Sequence, residues 1–299
     1  MTYPIDILPA IQSALDNHLP HLRVASASFL AEGLDGHVFR AASTQLGDVA
    51  IKVPKRRRVS NDLEDKIDAF DQLLQEGTVS RLFENSDVPV HRVFGAYLDE
   101  ETDFGFIVSE YIEHDGSPPA WVEVGEIVRA IHEIRPPRGR RVAQTEPTLE
   151  LTLAHLLDMR FRAVERIFGV RLAMPPKAEM TDMLRWPGRE RLLHMDIRPA
   201  NILTLNGVIQ AVVDWSNALM GDPALELTRI DECGYLTHDF LSGYGAPGDW
   251  PDRMPRSVEI LYRLYTATLL AVVFHDVKGA GDEHRAFARV IALCAAFKT

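Results

Sequence analysis

The chain has 299 residues, 46% hydrophobic and 25% charged, which is ordinary globular composition and enough for one large or two smaller domains with a sizeable core. Its formal net charge of -11 excludes general nucleic-acid binding, which needs a basic face; it suits a cationic small substrate but is equally ordinary for cytosolic proteins. Two distant cysteines, Cys233 and Cys294, exclude a disulfide framework or zinc site, and the start Met1-Thr2-Tyr3-Pro4-Ile5-Asp6 has no signal-peptide pattern, so the expectation is a cytoplasmic protein with no membrane partner.

Ile7, Ile11, Leu15 and Leu19 fall four apart, predicting a short helix over 5–19. From Arg23 to Val53 the pattern becomes β-like, with Val38-Phe39-Arg40 and Val49-Ala50-Ile51-Lys52-Val53 separated by Gly47-Asp48. Leu63, Ile67, Phe70, Leu74 and Leu82 return at helical spacing, predicting one long helix between Asp62 and Phe83. Two further strands are expected, over 90–98 and 104–112, joined by the polar turn 99–103. The first part therefore reads as a small sheet carrying one long helix.

Residues 113–119 are polar and rich in Gly and Pro, which marks a linker and sets the expected domains at 1–112 and 113–299. Beyond it the pattern is mostly helical. Apolar faces recur at Trp121, Val124, Val128 and Ile131, at Leu153, Leu157, Phe161, Val164 and Phe168, at Leu261, Leu264, Thr268 and Ala271, and at Phe287, Ile291 and Cys294. The longest apolar run, 258–274, contains Glu259 and Arg263 and is read as a buried helix. Two β-like runs, 191–194 and 208–213, interrupt the helices.

These two runs flank the chemistry. His194-Met195-Asp196-Ile197-Arg198-Pro199-Ala200-Asn201 is followed by Val212-Val213-Asp214-Trp215. A loop Asp, an Asn five residues on and an Asp at a strand end form the order that phosphoryl transfer uses. Asp196 is suited to take a proton from an attacking hydroxyl, and Asn201 and Asp214 to hold magnesium, a hard cation that takes oxygen ligands. Singly, such residues often bond only their own loop backbone; the joint pattern is what points to catalysis. His194 suits a hydrogen bond that steadies the loop. Arg198 would meet either the transferring phosphoryl group or a neighbouring carboxylate.

The first part supplies a matching half. Gly33 and Gly36, in Glu32-Gly33-Leu34-Asp35-Gly36-His37, lie in a turn between strands, where glycine permits positive φ or close approach of backbone to phosphate. Lys52 on the next strand can reach nucleotide phosphates, and Glu76 on the long helix can pair with it; Glu64 and Asp65 are earlier acidic alternatives. Lys55-Arg56-Arg57-Arg58 reads as an exposed loop of solvated charge.

With Gly221-Asp222-Pro223-Ala224-Leu225-Glu226-Leu227 and Ile127-Val128-Arg129-Ala130-Ile131-His132 added, the chain resembles the aminoglycoside phosphotransferase and choline kinase-like family over nearly its whole length. The resemblance implies an α+β, two-lobed protein-kinase-like fold: an antiparallel-sheet N-lobe with one long helix, and a larger, mainly helical C-lobe. It implies Asp196 as base, Asn201 and Asp214 as magnesium ligands, Lys52 on the phosphates of ATP or GTP, and Glu76 as its partner. It also implies a hinge over Ser109-Glu110-Tyr111-Ile112, where the backbone of Glu110 and Ile112 would read the base. Arg198 replaces a common His, Ser216 a common acidic residue and Glu226 a common Asp. Asp-Phe-Gly and Ala-Pro-Glu are missing, and no activation segment fits between Asp214 and Gly221, which argues against a protein substrate. The expected activity is a kinase of a small hydroxyl compound. An aminoglycoside or other cationic antibiotic could be held by Asp222, Glu226, Asp231, Glu232 and Asp239, though for most of these a solvated or helix-capping role is the preferred reading; choline, homoserine or an amino sugar is the alternative. A non-catalytic nucleotide-binding module is the contrasting expectation. Oligomeric state is not legible.

Overall fold

The computed structural model describes residues 7–22, 24–33, 35–134, 143–245, 254–277 and 281–297. Its first elements in chain order are α1 (Leu8–His18), β1 (Val24–Glu32), β2 (Gly36–Ser43), β3 (Gly47–Pro54), β4 (Arg58–Val59), β5 (Ile67–Asp68), α2 (Ala69–Leu82), β6 (Val93–Asp99), β7 (Phe104–Glu110) and α3 (Trp121–Glu133). There follow α4 (Leu149–Phe168), α5 (Lys177–Leu184), β8 (Arg191–Leu193), β9 (Ile202–Leu205), β10 (Val208–Val212), β11 (Leu219–Gly221), α6 (Pro223–Glu232), α7 (His238–Tyr244), α8 (Arg256–Asp276) and α9 (Glu283–Ala296). The mixture is α+β, and the contacts divide it into two compact units. One comprises Met1–Val59, Ile67–Ala120 and Pro199–Ser216; the other comprises Ser60–Lys66, Trp121–Arg198 and Asn217–Thr299.

The first unit is built on a five-stranded antiparallel sheet in the order β1-β2-β3-β7-β6. Side chains alternate across a strand, so Val49, Ile51 and Val53 of β3 enter the core with Phe39, Phe106 and Val108, and α1 adds Ile11 and Leu15. Lys52 stands on the opposite face, paired across the ladder with Val38 and Ile107. β9 and β10 form a hairpin whose turn, Asn206-Gly207, has positive φ at both residues, as tight hairpins require.

The long helix begins later than its apolar spacing predicts. α2 starts at Ala69, where the Asp68 side chain accepts the Phe70 N–H and caps it. Residues 62–66 are not helical: Asn61 Oδ1 accepts the N–H groups of Leu63 and Glu64, Lys66 has φ 60, and Leu63 packs on the core of the second unit. Local side-chain bonds to backbone override the periodicity there. The basic run is not simply solvated either. Lys55 pairs with Glu32, and Arg57 pairs with Asp68 and Asp103 while lying over the Phe70 ring.

In the second unit β8 and β11 pair antiparallel, Leu193 opposite Leu219 and Arg191 opposite Gly221. Around them α4 contributes Leu153, Leu157 and Val164, α8 Leu261, Leu264 and Ala271, and α9 Val290 and Leu293 to one core. By length and composition α8 is apolar enough to cross a membrane, but 61% of its most apolar window is buried inside the protein, where it packs on α4, α6 and α9. α4 stops at Gly169, whose φ of 65 provides the left-handed cap that residues with a Cβ resist.

Candidate active site

In the first unit, β3 and α2 bring together residues 24 apart in sequence. Lys52 Nζ forms an ion pair with Glu76 Oε1 and lies 3.0 Å from Asp214 Oδ1. Burial alone would depress the Lys52 ammonium, but Glu76 and then Asp214 reverse this and hold its pKa above the ordinary lysine value. Removal from water raises Glu76, partly opposed by Lys52. Asp214 has φ 66, uncommon for a residue with a side chain, and its Oδ1 also accepts the Ser216 hydroxyl at 2.9 Å. Gln75, next to Glu76, donates to the carbonyls of Trp215 and Ser216 at 2.9 and 3.0 Å, fastening α2 to the segment that follows Asp214.

Asn201 is nearly buried, and its carbonyl accepts the Val213 N–H at 3.0 Å, tying its turn to the residue before Asp214. The Asn201 amide and the Asp214 carboxylate offer oxygen donors, the set that suits magnesium when phosphate oxygens and water complete the shell. The donor chemistry therefore fits the ion.

The glycine turn is fastened to the end of β3. Gly33 N–H bonds the Gly36 carbonyl at 2.9 Å, Lys55 N–H the Asp35 carbonyl at 2.8 Å, and Lys55 Nζ the Gly33 carbonyl at 2.8 Å. Neither glycine has positive φ. Close approach is the reason for Gly36: a Cβ there would lie 2.9 Å from the Val53 carbonyl oxygen. Leu34 lies outside the described residues. Asp35 was not singled out from sequence; burial, then the nearby Asp214 charge, raises its pKa. At the hinge, Glu110 N–H bonds the Arg92 carbonyl, and the Ile112 carbonyl is 2.8 Å from His114 Nδ1.

In the second unit the loop after β8 hangs from α6. Glu226 is fully buried and accepts the backbone N–H groups of His194 and Met195, while His132 Nε2 of α3 lies 2.8 Å from its Oε2. Burial opposes the charged form of Glu226, but His132 and the loop hold its pKa below the usual value. Tyr244 of α7 closes the network, its hydroxyl 2.9 Å from His132 Nδ1. Met195 has φ 65, and the Asp196 N–H donates to His194 Nδ1 at 3.1 Å, so the fully buried His194 steadies the turn.

Asp196 itself is flanked by two guanidiniums. Arg198 Nε donates to Oδ2 at 3.1 Å and Arg229 Nη2 to Oδ1 at 3.2 Å. Burial raises the Asp196 pKa, yet Arg229, Arg198 and His194 outweigh it and keep the group a carboxylate. Arg229 carries no sequence signal beyond its place three residues after Glu226 on one helix face. Such an arrangement presents an ionised, oriented carboxylate in one unit and a charge-stabilised lysine with a carboxylate–amide pair in the other. These are the parts needed for accepting a hydroxyl proton and for holding phosphates.

The model of the phosphotransferase enzyme family matches residues 26–237. No curated protein matches the sequence. A crystal structure of a thermostable mutant of aminoglycoside phosphotransferase APH(4)-Ia, in ternary complex with AMP-PNP and hygromycin B, is 17% identical with TM-score 0.64, covering 96% of this chain and 98% of that one. A Haemophilus somnus 129PT protein provisionally named a fructosamine-3-kinase is 11% identical with TM-score 0.65, covering 97% of each chain. Spectinomycin phosphotransferase APH(9)-Ia, in complex with ADP and spectinomycin, is 14% identical with TM-score 0.55, covering 97% and 98%. At these identities the likeness establishes a shared protein-kinase-like fold.

Proposed function

Because the chain belongs to the phosphotransferase enzyme family, we propose that it moves the γ-phosphoryl group of ATP or GTP to a hydroxyl of a small molecule. The observation that carries this reading is the Lys52 ammonium held between Glu76 and Asp214. A cation so paired keeps its charge and its direction, as contact with nucleotide phosphates requires. The glycine turn gives the phosphates a close backbone, and the chain at Glu110 and Ile112 meets the base. Asn201 and Asp214 would hold magnesium, which would neutralise charge on the phosphates.

Asp196 orients the acceptor hydroxyl and takes its proton. The acceptor oxygen forms a bond to the γ-phosphorus, the bond to the β-phosphate oxygen breaks, and the nucleoside diphosphate leaves. Arg198 offers its guanidinium to the transferring group. Little covalent work falls to the protein, so positioning and electrostatics supply most of the acceleration. A small acceptor is favoured over a protein because Asp214 and Gly221 are too close in sequence for an activation segment. The names of the structural neighbours support small hydroxyl compounds as the class.

The test is magnesium-dependent release of nucleoside diphosphate over a panel of hydroxyl compounds. Asp196→Asn should lower turnover by about 10²- to 10⁴-fold, the usual worth of a positioned base, with nucleotide binding retained. Near-normal turnover would remove Asp196 from the reaction. Nucleotide binding without transfer to any compound would favour a non-catalytic module of the same fold.

A further inference from the structure

Building on the phosphotransferase reading, we propose that the acceptor is an alcohol carrying an anionic group, a carboxylate or a phosphate, and that Arg229 binds that group beside the base. Arg229 is on α6 with its side chain only 12% exposed. Among the described residues its one hydrogen-bond partner is Asp196, through a single Nη2 contact at 3.2 Å. A guanidinium carries five N–H donors in a planar fork shaped for carboxylate or phosphate. An anion taking the rest of the fork would sit next to the Asp196 carboxylate, with a hydroxyl one or two carbons away in reach of it.

The charges around Asp196 agree. One carboxylate faces two guanidiniums, Arg229 and Arg198, so this part of the second unit is positive. The acidic residues that the sequence offered to a polyamine are engaged elsewhere. Asp222 caps α6, accepting the N–H groups of Ala224 at 2.8 Å and Arg189 at 2.7 Å. Glu226 is buried under the loop of His194 and Met195. Asp231 lies 2.7 Å from Arg263, and Glu232 lies 2.9 Å from Arg263 and 2.6 Å from Arg289. Asp239 is exposed in the first turn of α7 beside His238. A polycation approaching Asp196 would meet two like charges, while Asp231 and Glu232 face Arg263 and Arg289 and Asp222 is turned to backbone N–H groups.

The experiment uses the full chain with magnesium and ATP or GTP, following acceptor-dependent release of the diphosphate. Acceptors come in matched pairs: hydroxy acids with their methyl esters, and sugar monophosphates with the free sugars. Neutral polyols and an aminoglycoside complete the panel. The anionic member of at least one pair should be preferred by about tenfold or more in kcat/KM, and which pair responds tells carboxylate from phosphate. Arg229→Gln should raise the KM for that acceptor by about 10- to 100-fold, the worth of a charge-assisted hydrogen bond, and leave the KM of its uncharged partner little changed, while kcat falls for both because Arg229 also holds Asp196. Arg229→Lys should recover part of the loss. Equal use of both members of every pair, preference for the aminoglycoside, or an Arg229→Gln rise in KM equal for charged and uncharged acceptors would overturn the proposal while leaving the phosphotransferase reading intact. No acceptor-dependent release from any compound would instead defeat that reading. Should Arg229→Gln not fold, malonate, an anion without a hydroxyl, should compete with the anionic acceptor on the unaltered protein; absence of competition would equally overturn it.

Discussion

Glu226 shows how much one buried side chain can hold. It accepts two backbone N–H groups of the loop that carries Asp196 and pairs with His132. Removing it leaves those donors buried without an acceptor, so Glu226→Ala should cost about 3–5 kcal/mol, the usual loss when one partner of a buried pair is deleted, measured by denaturant unfolding at pH 7. The sign of the pH dependence follows from a folded pKa below the unfolded one. Its contribution is present above the unfolded value of about 4.3 and is lost as pH falls through the folded value. The stability gap between the native chain and Glu226→Ala should therefore narrow as pH drops below about 4.3; a constant gap would show that ionisation of Glu226 is not what holds the loop. From sequence this residue reads as an acid either solvated, capping a helix or offered to a cationic substrate. Burial and partners 31 and 32 residues away decide otherwise, and neither is encoded in the local pattern.

At the scale of elements, periodicity marks the buried face of most helices, but Leu74 of α2 and Ile291 of α9, read from the same spacing, are 50% and 41% exposed. Val124, Val128 and Ile131 of α3 and Leu153, Leu157 and Val164 of α4 are all buried. It failed at 62–68, where Asn61 and Asp68 redirect the backbone. What periodicity cannot give is how close two helices lie. Gly125 of α3 and Gly243 of α7 let their backbones touch: a Cβ at Gly125 would fall 2.1 Å from the Phe240 carbonyl oxygen, and one at Gly243 would fall 1.8 Å from that of Val122. Both obstacles are backbone and cannot swing aside. Gly125→Ala should then destabilise by about 1–3 kcal/mol, the cost of overpacking, despite alanine's better helix propensity. α3 also carries His132 and α7 Tyr244, so the separated helices should loosen the Glu226 network and lower turnover. Unchanged thermal stability in this variant would refute the close packing.

For the whole molecule, anything that binds the folded chain but not the unfolded one raises its stability. Magnesium with nucleotide at a hundredfold excess over Kd should add about 2.7 kcal/mol, seen as a higher melting temperature, and Lys52→Ala should reduce the shift at the same concentrations. An equal shift in the variant would show that the phosphates are held without Lys52. The sequence by itself determined the fold class and the family, because alternating and helical apolar spacings, the turn glycines and the motif from His194 to Asp214 are local patterns with local causes. Only the tertiary structure decided which charges oppose one another. Arg229 meets Asp196 across 33 positions, Arg263 meets Asp231 across 32, and Lys52 meets Asp214 across 162. Pairs so distant in the chain are selected by packing, since a charge taken from water must find an opposite charge wherever the fold brings one. The motif thus names the kind of reaction, and the tertiary structure puts the Arg229 guanidinium beside the Asp196 carboxylate.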